Sequence, residues 1–142
     1  MVTKYKKYII DRCDNPSEGN EWSPAYKEKD RTRILRLDDA AFDKTKIYSS
    51  AVWFWPEMMN TDVAERSSKR HVHDYDEVLG LIGSDFDNPY DLCGETEITI
   101  GDETHIVDKS ALIYIPAGVE HGPFRERRID RPILHFEFSN RY

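Results

Sequence analysis

The sequence predicts an all-β domain, a jelly roll or barrel of short antiparallel strands. Short runs rich in β-branched and aromatic residues recur from Ile34 to Phe138. Between them stand Gly83, Asn88-Pro89, Gly101-Asp102, Pro116-Ala117-Gly118 and Arg131-Pro132, which are turn and breaker signals at the spacing of a barrel or sandwich. Helical patterning is confined to Asp38 to Phe42, about one turn behind an Asp cap.

Taken in order, residues 11–33 are rich in Asp, Asn, Glu, Pro, Ser and Lys and read as an irregular surface arm with turns at Pro16 and Pro24. The expected division is an N-terminal arm over 1–45 packed on a barrel over 46–142. Strands are expected over Ile34 to Leu37, Ile47 to Trp55, His71 to Ile82, Glu95 to Ile100, Thr104 to Val107, Leu112 to Ile115, His121 to Phe124 and Ile133 to Phe138. In Ile47 to Trp55 neither alternation class is polar: Ala51, Trp53 and Trp55 share one face, Tyr48, Val52 and Phe54 the other. Both faces are therefore expected to be covered, one by the barrel interior and one by the arm or a second subunit. A homodimer is expected if a second subunit is that cover; a well-packed central strand with no role in association is the alternative.

Composition bounds the rest. A chain of 142 residues, 39% of them hydrophobic, buries ~70% of its unfolded surface in one core. One domain is expected. No apolar run approaches the roughly 20 residues of a spanning helix, and 33% of the chain is charged, so no membrane partner is expected. Twenty basic against 27 acidic residues give a net charge of -7, which would repel a phosphate backbone and argues against nucleic acid. Lys4, Lys6 and Lys7 precede only Tyr8-Ile9-Ile10 before Asp11, too short an apolar core for a secretion signal. Cys13 and Cys93 lie far apart without C-x-x-C spacing, which predicts free thiols in a reducing, cytoplasmic compartment.

The sharpest chemistry lies in His71-Val72-His73-Asp74-Tyr75-Asp76-Glu77. On a strand, 71, 73, 75 and 77 share one face, so two imidazoles and a carboxylate point together. Such donors suit divalent first-row metals and need one more ligand from a neighbour. His121 qualifies, because Pro116-Ala117-Gly118 would turn its strand back across the first. Two histidines that merely pack or face solvent are the alternative. Tyr75 shares the parity of these ligands and is a candidate proton donor, or equally a filler of the interior. Arg125 shares strand parity with His121 and is a candidate grip for a substrate carboxylate or phosphate. Its place at the head of Arg125-Glu126-Arg127-Arg128 favours a solvated charge run. Trp53 and Trp55, with Met58 and Met59, are candidate lining for an apolar substrate pocket, or core. His135 alternates with Leu134, Phe136 and Phe138, so it points away from the metal if the aromatic face is inside; His105 has no assigned role.

These spacings resemble the cupin family. His71-x-His73 with Glu77 looks like its first motif, and Pro116-x-Gly118-x-x-His121 like its second, a resemblance spanning roughly residues 46 to 138. It implies a double-stranded β-helix, the cupin jelly-roll barrel, holding one divalent transition metal (Fe, Mn, Ni, Co or Zn) through His71, His73, Glu77 and His121. It also implies a metal-dependent enzyme acting on a small organic molecule by dioxygenase, lyase or isomerase chemistry; the alternative is a non-catalytic metal- or ligand-binding cupin. Three departures stand out. Glu65 and Ser110 replace motif glycines, Arg125 replaces a frequent Asn, and the stretch Gly83 to Cys93 reads as an insertion, a lid over a barrel mouth or a dimer contact, with an acidic surface loop as the alternative.

Overall fold

The computed structural model describes residues 4–11, 31–62 and 67–140. Each expected apolar run contributes a strand: β1 Arg31–Leu37, β2 Tyr48–Phe54, β3 Glu77–Gly83, β4 Asp91–Ile100, β5 Glu103–Lys109, β6 Ala111–Ile115, β7 His121–Ile129 and β8 Ile133–Ser139. Five strands in the order β1-β2-β8-β3-β6 face three in the order β5-β4-β7, and every pairing between strands is antiparallel. The chain crosses repeatedly between the two layers, which is the all-β jelly roll that the motifs imply.

Alternation decides what fills the space between the layers. On β2, Tyr48, Ser50, Val52 and Phe54 are buried while the residues between them are half-buried. Val52 and Phe54 join Leu81, Leu92, Ile129 and Ile133 in one cluster, and Leu79, Ile98 and Ile115 form a second nearer the metal motifs. Each such fully buried aliphatic side chain contributes roughly 1.5–3 kcal/mol. Trp53 lies on the other face of β2 and stacks on Trp55, just beyond the strand, at 6.0 Å between ring centroids. The outer face of the five-stranded sheet also exposes Ile82, Leu112, Tyr114 and Phe138. Gly80 serves this face: a Cβ there would stand 2.1 Å from the Phe136 ring, which lies across it.

Strand β1 falls inside the stretch read as arm and is the edge strand paired to β2. Residues 12–30, with Cys13, Pro16 and Pro24, lie outside the described residues, as does Glu65. The helix expected at Asp38 to Phe42 is only a capped turn. Asp38 Oδ1 accepts from the N–H groups of Ala40 and Ala41, but Lys44 soon takes a positive φ of 60° and the chain turns into β2.

The insertion is not a lid on the metal motifs. Glu77 begins β3 and Gly83 ends it, so the following loop starts ~20 Å from Glu77 at about 3.3 Å per residue. Strand β4 already begins at Asp91, which leaves only residues 84–90 as loop. Ser110 ties that loop down at the far end: its hydroxyl donates to Pro89 O at 2.7 Å, its N–H to Tyr90 O at 2.9 Å, and its oxygen accepts from Gly83 N at 3.0 Å. Ser110 is thus the anchor of the loop. No helix among the described residues is long and apolar enough to cross a membrane.

Candidate metal centre

The four motif residues converge, but not from one strand. Glu77 is the first residue of β3, and residues 72–76 before it are irregular. His71 is placed instead by an isolated bridge to His121: His71 N–H donates to His121 O at 2.8 Å and the reverse bond measures 2.9 Å. Gly122 makes this approach possible. It has φ +95°, and a Cβ there would come within 2.6 Å of Lys69 O. The Pro116-Ala117-Gly118 turn closes the other side, with Gly118 N–H donating to His73 O at 2.8 Å and Ala117 N–H to Asp76 Oδ1 at 3.0 Å.

One ligand atom from each of His71, His73, Glu77 and His121 lies within 4.8 Å of all the others. The three imidazoles share a further property. His71 Nδ1 lies 2.7 Å from Lys69 O, His73 Nδ1 2.9 Å from Tyr75 O, and His121 Nδ1 2.9 Å from Val119 O. A carbonyl oxygen only accepts, so each Nδ1 carries a hydrogen and each ring turns its Nε2 to the cluster, that of His73 lying 3.1 Å from Glu77 Oε2. This is the arrangement that fixes tautomer and orientation in metal-ligating histidines. His121 Nε2 is buried with no hydrogen bond of good geometry, only a 3.3 Å contact to Glu77 Oε2. A metal ion would satisfy that atom, and the donor set fits a divalent first-row ion.

Electrostatics agree. Burial would raise the Glu77 pKa, but the His121 and His73 imidazoles, and then Glu137, outweigh it and bring the carboxyl down to about 2. Burial alone would lower His121; the Glu77 carboxylate and the Val119 carbonyl outweigh it and raise the ring above 6.5. A resident anion is thus surrounded by imidazoles before any cation arrives.

The cluster forms one wall of a cavity of about 210 Å³ that Tyr75 also lines. The Tyr75 ring stacks on His73 at 4.0 Å and 5°. Arg125 does not reach this cavity. Ile98 pairs with Phe124 but Ile100 with His121, so β7 carries one extra residue between these pairs. That extra residue reverses the facing of the strand beyond it. Phe124 therefore lines the cavity while Arg125 points outward, its Nε donating to Glu97 Oε1 at 2.7 Å, with Arg127 on the same carboxylate. Trp53 and Trp55 likewise do not line this cavity, Trp53 being on the outer face of β2, and Met58 is in the core. His105 sits beside Glu103 on β5, 3.3 Å away.

His135 reverses its expected position. The aromatic face of β8 is the outer one, so His135 points into the cavity. Tyr48 and Glu137 accompany it, and neither was singled out by the motifs. The available signal was parity with His135 on β8 and with the buried face of β2.

No protein-family profile matches this chain, and no curated protein matches it in sequence. It is similar in structure to a protein from Photorhabdus luminescens, with 22% identity, 88% of this chain and 87% of the other covered, and a TM-score of 0.47. It is also similar to an RmlC-like cupin from Shewanella frigidimarina (16% identity, 78% and 74% covered, TM-score 0.44). KdgF from a Halomonas species is a further similar structure (14% identity, 79% and 78% covered, TM-score 0.43). The jelly-roll assignment stands on the strand order and pairing of the chain itself.

Proposed function

We propose that the chain is a metal-dependent cupin enzyme whose His71, His73, Glu77 and His121 hold one divalent transition ion and whose cavity takes a small organic molecule. The observation that carries this reading is the three Nδ1–H groups donated to backbone carbonyls, which turn three imidazole Nε2 atoms into one cluster with the Glu77 carboxylate. When bound, the ion supplies a Lewis acid at the cavity wall. The protein residues do the rest. The histidines and Glu77 orient the site, Leu79 and Phe124 exclude water from one side, and Tyr75 handles a proton at its hydroxyl from its stack on His73.

Metal analysis of protein purified without added metal is the first test, with about one equivalent expected and none overturning the reading. Turnover of candidate substrates then separates an enzyme from a cupin that only binds. In an active preparation, Tyr75→Phe should lower kcat by roughly 10²-fold with the metal content kept; an unchanged kcat removes Tyr75 from the mechanism.

The reading includes a homodimer through the outer face of the five-stranded sheet, supported by the exposed Ile82, Leu112, Tyr114 and Phe138. Sedimentation should give a dimer that Leu112→Arg dissociates. A wild-type monomer at all concentrations would remove this part.

A further inference from the structure

Strand β3 has a neighbour on each side, and both of its ladders end at the same residue: Glu77 pairs with Ile115 of β6 and with Ser139 of β8. Residues 72–76 before it carry no ladder, and beyond Ile115 the chain meets Pro116, which has no N–H to donate. One residue takes the place of the missing pairs on both sides. Asp76 Oδ1 accepts the Ala117 N–H at 3.0 Å, and Asp76 N–H donates to Asn140 Oδ1 at 3.0 Å, partners 41 and 64 residues away in the chain. The Tyr114 phenol makes a further hydrogen bond to this carboxylate.

Tyr114 is exposed on the outer face of the five-stranded sheet, so the carboxylate it meets is on that side, away from buried Glu77. The backbone on either side of these bonds nevertheless serves the cluster. Tyr75 O, one residue before Asp76, accepts the His73 Nδ1–H, and Glu77 follows one residue after. Across the bond to Ala117, Gly118 N–H donates to His73 O and Val119 O accepts the His121 Nδ1–H. Asp76 therefore joins the two backbone segments whose carbonyls orient His73 and His121.

We propose that Asp76 is a positioning residue of the metal centre: its hydrogen bonds hold the His73–Glu77 segment against the turn that leads to His121 and so preset the spacing between the two halves of the ligand set. The inference rests on reading the cluster as a metal centre, but the hydrogen bonds themselves stand without an ion. Asp76 acts through the orientation of its neighbours and touches neither ion nor ligand.

Two measurements test this, exchange of the histidine Nδ1–H protons with water by NMR in metal-free protein, and titration with Co(II). The His135 Nδ1–H, held by Gly80 O within β3, is the internal reference. Asp76→Ala should speed exchange at His73 at least about threefold with His135 unchanged, and should weaken Co(II) binding at least about threefold, since partners outside the ligands commonly matter by more than that. Asp76→Asn removes the charge but keeps an oxygen for the Ala117 N–H, so it should stay within about twofold of wild type in both measurements. Unchanged His73 exchange, an equal change at His135, unchanged Co(II) affinity in Asp76→Ala, or equal weakening in Asp76→Asn would each overturn the proposal. The last of these is what a long-range effect of charge predicts, and a change at His135 is what a general loss of stability predicts. Should Asp76→Ala fail to fold, Asn140→Ala removes the acceptor of the Asp76 N–H and decides by the same two protons, with His73 expected faster and His135 unchanged. Wild type that binds no Co(II) while Asp76→Ala still frees the His73 proton would remove the metal reading alone. Wild type that binds Co(II) while the variant leaves that proton unchanged would remove this inference alone.

Discussion

Replacing His121 by Ala is expected to lower divalent-ion affinity at least tenfold, and more than the same change at His71. His121 is 3% exposed, whereas His71 is on the solvent side of the cluster. Removing His121 also takes from the buried Glu77 carboxylate an imidazole that stabilises its charge. A change of one neighbour to a ligand typically costs 10–100-fold in metal affinity, and loss of a ligand costs no less. Competition with a chromogenic chelator measures this directly, and equal affinities in wild type and His121→Ala would overturn the ligand assignment. Protons compete for the same atoms. Because the His121 pKa lies above 6.5, metal uptake should already weaken as pH falls through that raised value.

Acidification should destabilise the metal-free protein through His135 by up to about 3 kcal/mol, the free energy of moving a pKa from 6.5 to about 4. Burial is the first cause of that depression, offset only in part by the bond to Gly80. Below 6.5 the unfolded chain binds a proton that the folded ring refuses, so stability falls as pH drops from 6.5 towards 4 and levels off beyond. Glu77 adds to the loss lower down. Its folded pKa is depressed, so its contribution is whole above 4.5 and disappears as pH falls towards 2. His121 has the opposite sign: its folded pKa is raised, so its contribution is whole below 6.5 and fades as pH climbs through the raised value. Chemical denaturation from about pH 7 to about pH 4 should show the His135 slope in wild type and lose it in His135→Phe. A variant with the wild-type slope would place the titration elsewhere.

The amino-acid sequence by itself determined the fold class and the four residues, His71, His73, Glu77 and His121, that converge in one cluster. Eight β-prone runs separated by turn signals leave few architectures open. Histidine and glutamate at motif spacing are legible because metal chemistry admits few donor types and the motif turns are local. Parity on one continuous strand was nevertheless the wrong reason for grouping His71, His73 and Glu77: β3 begins only at Glu77, and His71 is held by its bridge to His121. The tertiary structure alone decided which way side chains face. One extra residue in β7 turns Arg125 from the cavity to Glu97, and a bulge of that kind arises from pairing with β4 rather than from local composition. Strand β8 carries apolar residues on one face and His135 and Glu137 on the other, so burial by hydrophobicity predicts the wrong face inward. The sheet resolves this by leaving Phe138 half exposed and enclosing the polar face around the cavity. A polar interior is favourable only where histidines, carboxylates and phenol from distant strands partner one another, and that partnership exists only once the two sheets have closed.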